Sequence, residues 1–545
     1  MHEAIGAALA AEGVTAVFGL MGDGNRRWMV DLAHRGVTLY HARHEGAALA
    51  MADGYARLTG SVGVCTVTYG PGVTQLSTSI MVAAKHGTPI LVLAGGVDRA
   101  ELGTGSHLDV DERAVLLAAG AIVEEVREPD QAAEGVHRAA FLAAAKGCPV
   151  ALLVPVDLQD VPLAGHDGTP SGPLPRPSTE GLVPGRRSVD TAAAMLAGAQ
   201  RPVVLAGRGA VLSGSRSSLD ALAGRLGALV ATTFQAKGFF DGHPHDVGLA
   251  GGFSFARTRA LLHRADFVVS VGTSLDAHTT DGGRLFPEAR VIQVDVRPYH
   301  LIGGRSVPAL HLQGDAQATV DELVAALDRR GGCGPGWRAA ELREVLDGDP
   351  RTEEITSHDV KLEEGSVDPR RLMLELDRLL PEDAAVVIGG GHFMAFPSRY
   401  LSNPGGRSFE MVFDFMTTGQ AVPAAIGAAV GAPERMVVAI EGDASFLMHV
   451  QEIETAARHG ITLLVLVMND GALGAEYHKL RAEGLDPSQS LAPTPDLASV
   501  ASALGGTGFR LHDVDQVPDV ISWFDRGRGP HVVDCAVSKA VVGPL

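Results

Sequence analysis

At 545 residues the chain is too long for one hydrophobic core, and about three domains of ordinary size are expected. Hydrophobic residues make up 46% of the chain but aromatic residues only 5%, which favours parallel α/β layers with cores of Ala, Val, Leu and Ile. The formal net charge of −19, without any long basic stretch, argues against a nucleic-acid-binding surface.

Other features exclude further classes of protein. The cysteines are far apart and form no Cys-x-x-Cys pair, so neither a zinc site nor a disulfide framework is indicated. The N-terminal residues lack the basic and apolar regions of a signal peptide, and no apolar run reaches membrane-spanning length. We therefore expect a cytoplasmic protein that does not bind a membrane.

Apolar runs alternate with helical periodicity in three blocks, which predicts three doubly wound α/β domains with parallel sheets. We place the first domain at residues 1–162, the middle domain at 188–330 and the third domain at 367–545. Residues 163–187 are rich in Pro and Gly, and residues 331–366 are polar and rich in Gly, so both are expected to be linkers.

In the first block, residues 36–44 predict a strand and a short turn, and a helix is expected to begin at Glu45. An acidic residue in the first turn of a helix commonly does no more than interact with the helix dipole, so the pattern leaves the role of Glu45 open. The apolar run at residues 62–68 leads into Gly70-Pro71-Gly72, which indicates a tight strand-to-helix turn.

The middle block contains a glycine-rich segment, PVVLAGRGAVLSG at residues 202–214, that looks like the start of a dinucleotide site. Its spacing is G-x-G-x-x-x-x-G rather than G-x-G-x-x-G, and the next predicted strand ends without the acidic residue that would bind a ribose hydroxyl. We interpret these glycines as allowing a helix to pack against the sheet, and a dehydrogenase is not favoured.

In the third block, an apolar run ends in Glu-Gly-Asp-Ala-Ser at residues 441–445, and a second one ends at Asn469, 26 residues after Asp443. The helical residues between them predict a right-handed parallel crossover, which brings the two strand ends together. Asp443, Asn469 and a nearby carbonyl suit Mg²⁺ carrying ligand phosphates, and a helix opening at Ser445 can receive a phosphate oxygen. A simple turn, with Asn469 as a polar loop residue, is the alternative.

The motif around Asp443, followed at this spacing by Asn469, resembles the cofactor signature of the thiamine-diphosphate (ThDP) enzymes. In that family the Asp, the Asn and the carbonyl two residues after the Asn bind Mg²⁺, which implies Asp443, Asn469 and Gly471 as metal ligands. The resemblance also implies that residues around Asp443 and the Asn itself contact the cofactor. These residues are Gly442, Ala444, Ser445 and Asn469. Ala444 departs from the Gly that is usual in the family.

The segment His-Glu-Gly-Ala-Ala at residues 44–48 also resembles the family. There the Glu bonds N1′ of the cofactor's aminopyrimidine and favours the tautomer that removes the thiazolium C2 proton. The resemblance implies this role for Glu45, which requires a carboxyl group in a mostly apolar pocket. The Gly70-Pro71-Gly72 turn matches the family's turn beside the pyrimidine and implies a cofactor contact at Gly72.

Residues 388–394 resemble the diphosphate-contacting loop of the acetolactate synthase branch of the family, which implies cofactor contacts from Gly390, Gly391 and His392. Gly391 and Phe393 replace two glutamines that are typical of that branch. For His392 the alternative is a loop histidine whose hydrogen bonds are satisfied within the protein.

Residues 417–427 match the segment that leads into the family's Pro-Ala-Ala-Ile-Gly. Thr418 stands where a bulky apolar residue usually supports the bent cofactor, so a neighbour must provide that support or the register is shifted. The resemblance covers the whole chain in the order pyrimidine-binding, middle and diphosphate-binding domain. It implies a homodimer or homotetramer whose active sites are shared, with Glu45 from one subunit and Asp443 and Asn469 from another.

Three positions bear on the branch of the family. Asp23 aligns with the catalytic Asp of pyruvate-decarboxylase-like members, and His107 lies where synthases have Phe-Gln and decarboxylases have paired histidines. The two residues suit a proton relay above the thiazolium, with a turn-capping Asp and a surface His as the alternative. The decarboxylase Glu aligns with Ala475, and Glu476 lies one residue later, which turns its side chain by about 100° on a helix.

The resemblance implies a ThDP- and Mg²⁺-dependent enzyme that acts on a 2-oxo acid such as pyruvate. We expect an acetolactate synthase-like carboligase, which decarboxylates this donor and transfers the acyl-anion equivalent to a second carbonyl. Simple decarboxylation to an aldehyde is one alternative, favoured by Asp23 and His107, and a ThDP-binding relative without turnover is another. FAD is possible but not favoured, because residues 272–278 lack the pattern of flavin-binding members.

Overall fold

The computed structural model describes residues 1–163, 178–298, 301–304, 306–331, 336–337, 342, 346–403 and 407–544. Its strands form three six-stranded sheets in which every neighbouring pair is parallel. Helices cover the sheets, and the inner strands are buried along all or nearly all of their length, as expected for parallel sheets with both faces covered. The prediction of three α/β domains is thus confirmed.

The sheet of the first domain has the strand order β2-β1-β3-β4-β6-β5. Its strands are β1 Ala16–Gly19, β2 Thr38–His41, β3 Gly63–Val67, β4 Ile90–Gly96, β5 Ile122–Glu125 and β6 Pro149–Pro155. The α-helices of this domain are His2–Ala11, Arg26–His34, Glu45–Thr59, Pro71–Thr74, Ser77–His86, Glu112–Ala118, Ala132–Lys146 and Val156–Gln159.

The middle domain has the strand order β12-β11-β10-β7-β8-β9. Its strands are β7 Pro202–Ala206, β8 Leu229–Thr232, β9 Asp246–Leu249, β10 Phe267–Val271, β11 Arg290–Asp295 and β12 Leu310–Gln313. Its α-helices are Arg186–Leu196, Arg208–Leu212, Arg216–Leu226, Ala256–Leu262, Ala277–Thr280 and Ala316–Arg329. Most of the segment expected to link the first two domains lies outside the described residues, at 164–177.

The third domain has the strand order β14-β13-β15-β16-β18-β17. Its strands are β13 Ala385–Ile388, β14 Ser408–Met411, β15 Val437–Gly442, β16 Leu463–Asn469, β17 Thr507–Leu511 and β18 Pro530–Ala536. Its α-helices are Pro369–Leu379, Ala395–Tyr400, Ala421–Gly431, Asp443–Met448, Glu452–Arg458, Gly474–Ala482, Leu497–Ala503 and Val517–Arg526. A further helix, Pro350–Ser357, lies within the segment expected to be the second linker.

Helix Glu45–Thr59 of the first domain packs against helix Ala421–Gly431 of the third domain, and the buried residues of both belong to one continuous core. Two glycines permit this close approach. A Cβ atom at Gly54 would lie 1.9 Å from the Ala424 carbonyl oxygen, and one at Gly427 would lie 1.8 Å from the Met51 carbonyl oxygen. The helix that begins at Glu45 is therefore held directly by the domain that carries Asp443.

The segment between Asp443 and Asn469 differs from the single helix that its periodicity predicts. It forms two helices, Asp443–Met448 and Glu452–Arg458, because His449 has a non-helical backbone conformation. Glu452 and Glu454 in the second helix contact Arg43 of the first domain.

Among the described residues, no helix combines the length and the apolar character needed to cross a membrane.

Candidate functional site

The two strands that precede the predicted metal ligands are neighbours in the sheet, with Gly442 of β15 opposite Met468 of β16. Asp443 follows β15 directly and is buried. Its carboxylate accepts the backbone N–H of Ala444 at 2.8 Å and that of Gly471 at 2.9 Å. The structure thus brings Asp443 and the turn after Asn469 into direct contact, as the crossover geometry predicts.

The Asn469 side chain is oriented by two neighbours. Its amide nitrogen donates to Asp534 Oδ1 at 2.8 Å and lies 3.0 Å from Thr494 Oγ1. Its amide oxygen lies 3.3 Å from the same Thr494 hydroxyl and keeps a second lone pair. The carbonyl of Gly471 accepts the N–H of Ala492 at 2.8 Å and keeps a second lone pair. The predicted ligand set therefore consists of oxygen atoms only, which is the set that a hard cation such as Mg²⁺ prefers.

The electrostatics of this strand edge also suit a cation. Burial raises the pKa of Asp443 to about 6, and the charge of Asp534 adds to the effect. Burial and the charge of Asp443 raise the pKa of Asp470 to about 7. A bound divalent cation would reverse both shifts, because it stabilises ionised carboxylates. No cluster of three or more His, Cys, Asp or Glu side chains suited to a metal occurs in the described part of the chain.

The residues around Asp443 form a tightly packed turn into the helix Asp443–Met448. Gly442 is its N-cap, and a Cβ atom there would lie 2.9 Å from the Phe393 ring. Ser445 is buried and Ala444 is half-buried. The helix N-terminus directs backbone N–H groups towards the strand edge, which is an arrangement that favours phosphate oxygens.

Glu441 is a buried acid that the sequence analysis overlooked. Its Oε2 accepts the N–H of Ala421 at 2.9 Å, while its Oε1 finds no hydrogen-bond partner among the described residues. A Cβ atom at Gly389 would lie 2.2 Å from this orphaned Oε1. Burial raises the pKa of Glu441 to about 8. The sequence signal that could have identified Glu441 is an acidic residue at the end of an otherwise apolar strand.

The predicted diphosphate loop packs closely against its neighbours. A Cβ atom at Gly390 would lie 2.3 Å from the Thr417 carbonyl oxygen, and Gly391 has a φ of +152°, which favours glycine. His392 is buried, and its Nε2 accepts the N–H of Gly543 at 2.9 Å. Its ring centroid lies 4.3 Å from that of His478.

Burial, reinforced by the charge of His478, lowers the pKa of His392 to about 3. The imidazole is therefore neutral, and because Nε2 is an acceptor, Nδ1 carries the proton. Nδ1 of His392 is therefore the ring nitrogen that can donate a hydrogen bond. His478, in helix Gly474–Ala482, thus contacts the diphosphate loop through His392.

Thr418 lies beside two methionines. Its hydroxyl is 3.3 Å from the sulfur of Met448, and Met416 precedes it by two residues with a positive φ of 56°, which is rare for a residue other than glycine. Both methionines are exposed. These two methionines are bulky apolar side chains next to Thr418, the position at which the ThDP family usually has the apolar residue that supports the bent cofactor.

Glu45 occupies the first turn of helix Glu45–Thr59, directly after the N-cap His44. It is half-buried, and its charge, after burial, contributes to raising the pKa of the neighbouring Cys65 thiol. In the part of the chain that the structure describes, no hydrogen bond or ion pair joins Glu45 to Asp443.

The turn with Gly72 is held by an acid that the sequence analysis also overlooked. Gly72 is buried, and the N–H of Gly70 donates to Glu112 Oε1 at 2.6 Å. Glu112 is only 6% exposed, and burial raises its pKa to about 7. This contact depends on the burial of Glu112, and the local sequence around Glu112 does not reveal that burial.

The three residues that were predicted from the decarboxylase pattern lie on the surface of the chain. Asp23 is exposed and forms an ion pair with Arg26. His107 is exposed in the loop before helix Glu112–Ala118. Glu476 is exposed and its carboxylate lies 3.6 Å from the Lys479 ammonium group.

In the middle domain, the glycine-rich turn is filled by protein. A Cβ atom at Gly207 would lie 2.4 Å from the Gly272 carbonyl oxygen, and one at Gly209 would lie 2.7 Å from the Gly272 Cα atom. These glycines allow the turn and the helix after β7 to pack against the turn after β10, which is the role predicted for them.

Three family models match the chain in the order of its three sheets. "Thiamine pyrophosphate enzyme, N-terminal TPP binding domain" matches residues 1–115, the central domain of the same family matches residues 189–323, and its C-terminal TPP binding domain matches residues 389–535. Together these matches cover well over half of the chain.

Acetolactate synthases and a probable decarboxylase are similar along nearly the whole chain. An acetolactate synthase of Mycobacterium avium is 32% identical, over 94% of this chain and 83% of its own length. A probable acetolactate synthase large subunit of Methanocaldococcus jannaschii is 28% identical, over 100% of this chain and 93% of its own. A probable 2-ketoarginine decarboxylase of Pseudomonas aeruginosa is 32% identical, over 93% of this chain and 89% of its own.

Proposed function

Because the chain belongs to the thiamine pyrophosphate enzyme family, in its acetolactate synthase branch, we propose that it is a Mg²⁺-dependent carboligase. In this proposal it decarboxylates a 2-oxo acid such as pyruvate and transfers the resulting acyl-anion equivalent to a second carbonyl compound. The observation that carries the proposal is the edge formed by Asp443, Asn469 and Gly471, where oxygen ligands meet at adjacent strand ends.

Bound ThDP would supply a carbon nucleophile and an acceptor for the electrons that are released as CO₂ leaves. In our proposal Asp443, Asn469 and the Gly471 carbonyl hold Mg²⁺, which neutralises the diphosphate. The N–H groups at the start of helix Asp443–Met448 and the Nδ1–H of His392 bind the diphosphate oxygens. Gly442 and Gly390 allow these two segments to pack closely against Phe393 and Thr417, which fixes the backbone around the proposed site.

We assign to Glu45 the exchange of a hydrogen bond with N1′ of the aminopyrimidine. Its half-buried position in the first turn of the helix leaves the carboxyl group accessible to the cofactor. Gly72 lies in the turn beside the same ring. Met416 and Met448, next to Thr418, are the side chains that we assign to support the cofactor in its bent shape.

We further propose a homodimer or homotetramer in which Glu45 of one subunit completes the site formed by Asp443 and Asn469 of another. An exposed apolar patch next to Thr418 supports this assembly, and its members are Phe415, Met416, Leu447 and Met448. Sedimentation of the protein tests the assembly, because a monomer at micromolar concentration would contradict it.

Decarboxylation without transfer is the second candidate function, and similarity to the probable 2-ketoarginine decarboxylase favours it. In that case Asp23 and His107 would protonate the product carbon, and Glu476 would assist. All three side chains are exposed in the single chain, so such a role requires that a second subunit or a loop movement bring them to the cofactor.

The decisive experiment measures pyruvate consumption by the protein with ThDP and Mg²⁺ and identifies the products by mass spectrometry, with and without a second keto acid or aldehyde. A coupled product such as acetolactate supports the carboligase. Acetaldehyde formed at the same rate without any acceptor would move the protein to the decarboxylases. The Glu45→Gln variant is the matched control, and we expect it to lose at least about 100-fold in rate, within the range for a lost acid–base group.

A further inference from the structure

The short loop that precedes Glu45 is held from the third domain as well as from its own, where the Ala42 N–H donates to the Gly19 carbonyl at 3.0 Å. Strand β2 ends at His41 and helix Glu45–Thr59 begins four residues later, so residues 42–44 decide where Glu45 stands. The backbone N–H of Arg43 lies in this loop and donates to both carboxylate oxygens of Glu452, at 3.1 and 3.2 Å. These two residues are 409 positions apart in the chain.

Glu452 is a buried hydrogen-bond acceptor in the third domain. Its residue is 0% exposed, and its Oε2 also accepts the hydroxyl of Thr455 at 2.8 Å. Each of these donors requires an oxygen acceptor, and a buried carboxyl group is costly unless such bonds are made. Burial raises the pKa of Glu452, while the hydrogen bonds from Thr455 and Arg43 oppose that shift.

The other side of Glu45 is held in a similar way. The carbonyl of Gly46 accepts the hydroxyl of Ser79 at 2.8 Å, and the same hydroxyl lies 3.1 Å from the side-chain oxygen of Gln420 in the third domain. Glu45 is therefore bracketed by two contacts that lead to the third domain. Of the two, the contact made by Glu452 is direct.

We propose that Glu452 is a positioning residue, which fixes the Glu45 carboxylate for its hydrogen bond with the cofactor's aminopyrimidine by holding the Arg43 backbone. This inference rests on the role proposed above for Glu45. Within the described ranges, the hydrogen bonds of the Glu452 side chain go to Arg43 and Thr455 and not to the predicted metal ligands. Because Glu452 lies in the crossover between Asp443 and Asn469, one segment of chain both carries the predicted metal ligands and orients Glu45.

The first test uses the cofactor-free protein and measures backbone amide exchange by mass spectrometry. In Glu452→Ala, peptides that cover residues 41–47 are expected to exchange at least about tenfold faster than in the wild type, because the Arg43 amide loses its acceptor. The matched control is Glu454→Gln, in the same helix. Glu454 pairs with the Arg43 side chain at 2.6 Å, and its substitution leaves the backbone contact intact, so unchanged exchange is expected.

The second test measures exchange of the thiazolium C2 hydrogen in the protein loaded with ThDP and Mg²⁺, which needs no substrate. A displacement of about 1 Å in a catalytic group can cost on the order of 100-fold, so Glu452→Ala is expected to slow this exchange at least about tenfold. ThDP affinity should change by less than about threefold, because the proposed diphosphate contacts do not include Glu452. Glu454→Gln should match the wild type.

The outcomes separate this inference from the function proposed above. Slow C2 exchange in both Glu45→Gln and Glu452→Ala, with faster amide exchange around Arg43, supports it. Wild-type behaviour of Glu452→Ala alongside a slow Glu45→Gln overturns the positioning role and leaves Glu45 in place. If Glu45→Gln itself exchanges at the wild-type rate, both assignments fail. Should Glu452→Ala not fold, Glu452→Met replaces it, because methionine has a similar volume but no oxygen to accept the Arg43 N–H. Wild-type values of this variant in both tests would overturn the inference.

Discussion

The Asp443 carboxylate accepts the backbone N–H of Gly471 at 2.9 Å, which ties the end of β15 to the turn after β16. Gly471 has a positive φ of 67°, a conformation that favours glycine at this turn. The contact holds two of the three predicted metal ligands in place before any cation binds, so little conformational freedom remains to be lost when it does.

Asp443→Asn is expected to weaken binding of ThDP with Mg²⁺ by more than about 100-fold, since loss of an outer contact alone costs about 10- to 100-fold at metal sites. The amide keeps the shape of the side chain but removes the charge that a divalent cation requires, and it can accept only one of the Ala444 and Gly471 N–H groups. Isothermal titration calorimetry measures the effect. Asp496→Asn is the control, because Asp496 is an exposed helix cap in the same domain and asparagine caps equally well.

Mg²⁺ affinity should depend on pH because burial raises the pKa of Asp443 to about 6. The cation binds the ionised carboxylate, so affinity should be constant above pH 6 and fall by about tenfold for each pH unit below it. Titrations of the cofactor-free protein with Mg²⁺ between pH 5 and 8 provide the measurement. Affinity that stays level across this range would contradict the assignment of Asp443 as the anionic ligand.

Glu441→Gln is expected to make the stability of the cofactor-free protein less dependent on pH. Burial raises the pKa of Glu441 from 4.5 to about 8, so the folded state keeps a proton that the unfolded state releases. The contribution of this group is therefore fully present below about pH 4.5 and is lost as the pH rises to about 8. Glutamine keeps the acceptor for Ala421 without that loss.

Thermal unfolding between pH 5 and 9 tests this expectation. The melting temperature of Glu441→Gln should exceed that of the wild type by several degrees near pH 8 or above, as expected for about 1 kcal/mol or more in a chain of this size. The two proteins should converge towards pH 5. Parallel pH curves for the two proteins would rule out a protonated Glu441 in the folded state.

Gly54→Ala should weaken the contact between the first and third domains, because its Cβ atom would lie 1.9 Å from the Ala424 carbonyl oxygen. Overpacking of this kind costs about 1–3 kcal/mol or more, since backbone rather than a flexible side chain must move. Denaturant unfolding measures the loss. Gly135→Ala is the matched control: its Cβ atom would lie 3.4 Å from a methyl group of Leu152, and helix propensity should stabilise it by up to about 1 kcal/mol.

Local patterns in the chain were sufficient to predict three parallel α/β domains, the helix that begins at Glu45, and the turns that carry Asp443 and Asn469. These features depend on the periodicity of apolar residues and on short motifs, which act over a few residues and can be read directly. The resemblance to ThDP enzymes rested on the same motifs, and the family and the order of its domains are confirmed.

Only the tertiary structure shows that Glu441, Glu112 and Glu452 are buried. The same holds for the break that divides the crossover helix at His449. The bond between Arg43 and Glu452 joins residues that are 409 positions apart, and no local pattern marks it. Whether a carboxyl group is buried, and which N–H it accepts, depends on the packing of distant segments. Those contacts form only when the three domains pack against one another. That packing depends on many residues together and not on any short motif.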